Sequence, residues 1–130
     1  MATAMRKHDR SRDRLRQRVE YWSKRLRVAP RIVRVQRMTR KWGSCSTKGI
    51  ITLAEDLADQ KPGFQDFVVA HELLHLRVPN HGKVFKALMS AYVPDWRRHE
   101  VIRRRRTQLE LRRVVQATAN ARNRRRSHSD

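Results

Sequence analysis

Residues 71–81, His-Glu-Leu-Leu-His-Leu-Arg-Val-Pro-Asn-His, constrain this chain more than any other stretch. In an α-helix, residues four apart share a face one turn up the axis, so His71 and His75 can aim two imidazoles at one point. Glu72 lies roughly a quarter-turn away. Pro79 has no N–H and disfavours helical geometry at Val78, so the helix should end near Arg77. The turn that follows can swing His81 back toward the same point. Three imidazoles beside a carboxylate are the donor set of a metal centre that keeps one position open, rather than of a closed structural site.

The pattern is rare by chance. With the chain's own His and Glu scattered at random, H-E-x-x-H arises in roughly 1% of shuffles, and a third His at a fixed offset cuts this by more than about tenfold. Its surroundings agree with it. Residues 64–76 are apolar nearly all round, which marks the buried central helix, and ionisable groups buried there need a partner. A metal would be one. Zinc is the default for imidazole ligands, although the same set also accepts manganese or cobalt. Zinc lowers the pKa of the water it activates, and Glu72 could take that proton and later deliver it to a leaving amine. The favoured chemistry is therefore metal-dependent peptide hydrolysis.

Other residues are weaker candidates. Arg40, Lys41, Tyr92 and His99 could stabilise a developing oxyanion. Cys45 could close the site as a fourth ligand or simply pack. His8 and His128 lie in the chain's ends and are not expected to be ligands.

Around the central helix the sequence predicts a single α+β domain over residues 11–116, with disordered basic segments at 1–10 and 117–130. A helix should run to Leu26, with Leu15, Val19, Trp22 and Leu26 on its buried face. Residues 31–38 and 49–53 read as strands and suggest a small antiparallel sheet, one edge of which could bind an extended peptide. The loop between them carries Lys41-Trp42-Gly43-Ser44-Cys45-Ser46. Residues 55–62 read as a polar connection with one short helical turn. A helix capped by Asn80 should run from His81 to Tyr92, and a last one, capped by Asp95, should fade near Gln116.

Charge is unevenly spread. Lys and Arg number 32 against 12 acidic residues, but residues 1–48 carry a net +13, residues 49–95 a net −2 and residues 96–130 a net +9. The motif segment is near neutral, and the basic flanks fit a polyanion, most simply nucleic acid. That allows a rival reading, a nucleic-acid-binding protein on an inert scaffold, or a combined one, a peptidase acting on proteins bound to nucleic acid. A single cysteine, with no apolar leader and no membrane-length apolar run, reads as a soluble cytoplasmic protein.

Three blocks taken together resemble the YgjP-like zinc metallopeptidase family, zincin-fold proteins akin to the SprT-like group. They are Arg40-Lys41-Trp42-Gly43-Ser44-Cys45-Ser46, then residues 68–76 around the motif, then Asn80-His81 with Phe85; Pro94-Asp95-Trp96 also fits. The ligand spacing equals that of metzincins, but Val78 stands where they have a turn glycine. The resemblance implies a zincin-like domain with Zn2+ on His71, His75 and His81, Glu72 as catalytic base and a peptide or protein substrate. It gives the Trp-Gly-Ser-Cys loop no chemical role.

Overall fold

The apolar helix does occupy the centre. In the computed structural model, which describes residues 6–127, α2 (Pro62–Leu74) is buried at almost every position from Phe64 to Leu74. Pro62 opens it, where a missing N–H costs nothing. Helix α1 (Lys7–Leu26) lies across α2 and buries Leu15, Val19, Trp22 and Leu26, the four residues its periodicity predicts. Asp66 of α2 fastens it, accepting hydrogen bonds from Arg18 at 2.6 Å and Trp22 Nε1 at 3.0 Å.

The sheet has three strands, β1 (Ile32–Gln36), β2 (Gly43–Cys45) and β3 (Ile50–Ala54), in the order β1-β3-β2. It is mixed rather than purely antiparallel. The two strands expected from the sequence, β1 and β3, run parallel, with Val33 beside Ile51 and Val35 beside Leu53. The antiparallel partner of β3 is β2, formed by residues of the expected loop. β3 is buried over Ile51–Ala54 and packs onto α2, whereas β2 stands at the edge.

A 3-10 turn (Glu55–Asp59) links the sheet to α2. After α2 the chain winds on through Leu76, Arg77 and Val78 by bonds to Leu73 and Leu74 carbonyls, and Pro79 ends it. Helix α3 (Lys83–Tyr92) begins two residues later than expected. Asn80 Oδ1 accepts from Gly82 N–H at 3.0 Å in an Asx turn, so His81 sits in the turn rather than in the helix.

Helix α4 (Trp96–Ser127) is far longer than the sequence suggests. Residues 117–127 are helical where an irregular tail was expected, and α1 likewise starts inside the expected N-terminal arm, at Lys7. The near half of α4 is latched to the domain. Arg106 donates to the Met38 and Thr39 carbonyls, pairs with Asp56 at 3.0 Å and stacks over Trp42 at 3.9 Å, while Thr107 Oγ1 donates to Arg40 O at 3.0 Å. Among the described residues, no helix is long and apolar enough to cross a membrane.

Candidate metal centre

His71 and His75 rise from successive turns of α2, and the Pro79 turn returns His81 to them. Their Nε2 atoms stand 3.3 Å (His71–His75), 3.2 Å (His71–His81) and 2.9 Å (His75–His81) apart. Four ligands placed tetrahedrally around zinc at ordinary Zn–N lengths are about 3.3 Å from one another. The three nitrogens are therefore spaced to share one ion, and they form the metal-capable cluster found among the described residues.

The surroundings hold that geometry. His75 Nδ1 faces Val78 O at 3.1 Å, so the ring donates there and leaves the Nε2 lone pair free. The carbonyl that orients the His75 ring thus comes from the turn that Pro79 enforces. Phe85 of α3 packs against all three imidazoles, with centroids 5.1, 4.8 and 4.9 Å from His71, His75 and His81, nearly parallel to His75. Burial, with the Arg103 charge second, drives the His71 pKa down to about 3. Burial also lowers His75 and His81. All three favour the neutral, ligating form.

Glu72 lies beside the cluster and is 7% exposed. Burial pushes its pKa up to about 7, against the opposing charges of Arg103 and Lys41. Its side chain rests on the backbone of β2: a β-carbon on Gly43 would stand 3.0 Å from Glu72 Cγ. This gives the Trp-Gly-Ser-Cys loop a physical role that the sequence alone does not reveal. The loop is an edge strand whose glycine lets the carboxylate approach.

Cys45 lines the same cleft but lies outside the metal-capable cluster. Burial, then the neighbouring Glu72 charge, raises its thiol pKa, which opposes the thiolate a metal needs. Of the candidates for oxyanion stabilisation, Lys41 reaches the cleft, whereas the side chains of Arg40, Tyr92 and His99 do not line it. His99 is a core residue stacked on Phe67, with Nε2 on Asp95 at 3.0 Å. His8, at the start of α1, pairs with Glu55, and His128 lies outside the described residues.

One cleft residue escapes the sequence reading. Arg103 of α4 lines the pocket with His71, Glu72 and His81, half-buried, its guanidinium fixed on Glu100 by bonds of 2.8 and 2.6 Å. It sits in the run Arg103–Arg106, which covers every face of a helix and so carries no periodic signal. The Glu three residues before it is the one hint of a fixed orientation.

Comparison with known proteins agrees with the geometry. The profile of the YgjP-like metallopeptidase domain matches residues 3–121. Among solved structures, the chain is similar to the metallopeptidase zymogen abylysin of Pyrococcus abyssi (TM-score 0.60, 23% identity, covering 74% of this chain and 95% of that one). It is also similar to the metallopeptidase zymogen jannalysin of Methanocaldococcus jannaschii (TM-score 0.57, 18% identity, covering 78% and 96%). At these identities the likeness concerns the fold. No curated protein matches.

Proposed function

The chain belongs to the YgjP-like metallopeptidase family, and from that premise we propose that it hydrolyses peptide bonds at a zinc ion held by His71, His75 and His81, with Glu72 as the base. The observation that carries this reading is the convergence of three Nε2 atoms within 3.3 Å of one another beside a buried carboxylate.

Zinc supplies Lewis acidity to the scissile carbonyl and to the attacking water. The remaining work falls to the chain. Glu72 takes a proton from the water as its oxygen bonds to the carbonyl carbon, then gives that proton to the amine as the C–N bond breaks. Lys41 and Arg103 add positive charge to the wall where negative charge develops on the substrate. By the alternation of antiparallel pairing, the N–H and C=O groups of Gly43 and Cys45 face away from β3, since Trp42 and Ser46 bond to it. That free edge can receive an extended substrate by β-augmentation. A nucleic-acid role for the basic flanks rests on charge alone, and the matched family and structures add nothing to it.

Two variants test the proposal. Glu72→Gln should keep one zinc per chain and lose peptide hydrolysis by roughly 10²–10⁴-fold. His81→Ala should lose the metal while the fold persists, because His81 is exposed. Unchanged turnover in the first, or full zinc content in the second, would sink the assignment.

A further inference from the structure

The cleft beside the metal centre is bordered by cations. It encloses about 1080 Å3 along the free side of β2, and among the described residues Glu72 is the single carboxylate on its wall. Lys41 stands just before β2, and Lys48 lies in the turn beyond it. Arg31 is tied to that turn by its N–H bond to Gly49 O at 2.8 Å. Arg27 follows the end of α1, next to Leu26, whose carbonyl accepts from Arg77 at 3.2 Å. Positive charge therefore brackets the edge strand at both ends.

This is more than the overall basicity of the chain. The segment that carries the motif, residues 49–95, is net −2 and gives the cleft wall Arg77 alone among its cations; the others come from the end of α1, the approaches to β1 and β2, the β2–β3 turn and α4. Arg103 is answered by Glu100, but among the described residues no carboxylate forms an ion pair with Arg27, Arg31 or Lys48. Arg27 also holds a left-handed backbone, φ 56°, at a helix C-terminus where glycine is the usual occupant. The chain keeps a long cationic side chain on the cleft wall at a position where glycine would be less strained.

We propose that the cleft takes an acidic polypeptide segment in extended form, with carboxylates on both sides of the bond presented to Glu72. The predicted cleavage rests on the peptidase reading; the binding does not. A polypeptide fits better than a nucleic acid because the free edge of β2 offers backbone donors and acceptors at the spacing of an extended chain.

The test uses the full-length Glu72→Gln protein and fluorescence anisotropy with labelled peptides sharing one apolar centre and carrying Glu, Gln or Lys flanks. The Glu-flanked peptide should bind roughly tenfold more tightly than the Gln-flanked one, and the Lys-flanked one most weakly. Adding Arg31→Glu and Lys48→Glu should abolish this order. Arg112→Glu with Arg113→Glu, the same change of net charge far along α4, should shift affinity by less than about twofold because the charges are screened. Equal losses in both pairs, no preference for Glu flanks, or tighter binding of single-stranded oligothymidylate would each overturn the proposal. Cleavage by the unaltered enzyme is read separately. Glu-selective binding without cleavage sinks the peptidase reading and keeps the cleft, whereas equal binding and cleavage of all three peptides does the reverse.

Discussion

Glu72 Cγ sits 3.0 Å from the place a β-carbon would occupy on Gly43, so the buried carboxylate and the edge strand are fitted to each other. The same β-carbon would meet Thr52 O at 3.2 Å, an atom of the paired strand that cannot step aside. Gly43→Ala should therefore move the carboxylate, costing about 1–3 kcal/mol in stability and lowering kcat by at least roughly tenfold with zinc content unchanged. Thermal unfolding and steady-state kinetics on one preparation check both effects. An alanine variant of ordinary activity would show that the close fit has no catalytic consequence.

Phe85 touches all three imidazoles, so its size sets how firmly they converge. Phe85→Leu should cost about 1–2 kcal/mol through lost packing and weaken zinc binding by roughly tenfold as the rings gain freedom. Competition with a chromogenic chelator measures the second quantity. Affinity equal to the parent would leave Phe85 a purely structural residue.

The metal-free protein should have a characteristic stability profile against pH. His71 titrates near 3 when folded and near 6.5 when unfolded, so its contribution is complete above pH 6.5 and is lost as the pH falls toward 3. Glu72 titrates near 7 when folded and near 4.5 when unfolded, so its contribution is complete below pH 4.5 and is lost as the pH rises through 7. Between pH 4.5 and 6.5 the two slopes oppose each other, and the lowered His75 and His81, which start from the same unfolded value of 6.5, tip the sum toward loss of stability on acidification. Below pH 4.5 the His71 slope, at roughly 1.4 kcal/mol per pH unit, is joined by losses from Glu55, Asp95 and Glu100, whose folded pKa values are also lowered. The lowered values of His75 and His81 add loss on the acid side. Urea unfolding of chelator-treated protein from pH 3.5 to 8 reads this directly, and a flat acid limb would contradict the burial of neutral His71.

Arg106 joins α4 to the chain leading into β2 through the Met38 and Thr39 carbonyls and the Trp42 ring, and to the 3-10 turn through Asp56. Arg106→Ala should cost about 2–4 kcal/mol. Arg106→Lys should recover less than half of that, because an ammonium cannot reproduce the planar fork. Thermal unfolding of the pair tests this, and an Arg106→Lys variant as stable as the parent would remove the role of guanidinium geometry.

Much of this architecture was legible because local chemistry and tertiary packing agree. The α1 stripe, the apolar α2, the Pro79 turn and the three converging histidines each follow from spacing. Where they disagree, the sequence was silent. Gly43–Cys45 has no strand propensity and becomes a strand because β3 offers it an edge. The parallel pairing of β1 and β3 was hidden by a short connection without a crossover helix, the usual sign of parallel strands. Arg103 faces the cleft while its neighbour Arg104 is exposed, a difference that an unbroken run of arginines cannot encode. Among the described residues the far half of α4 carries no buried stripe, and its Ala, Arg and Gln are good helix formers.

The three-residue length of β2 also bears on solubility. An open sheet edge is a template on which identical chains can stack, and proteins commonly blunt such edges by keeping them short or charged. Here the edge offers only the outward groups of two residues, between flanking lysines at 41 and 48. Another copy of the chain would gain few hydrogen bonds from it and meet like charge on both sides. That edge is thus too short and too positive for the protein to polymerise through it.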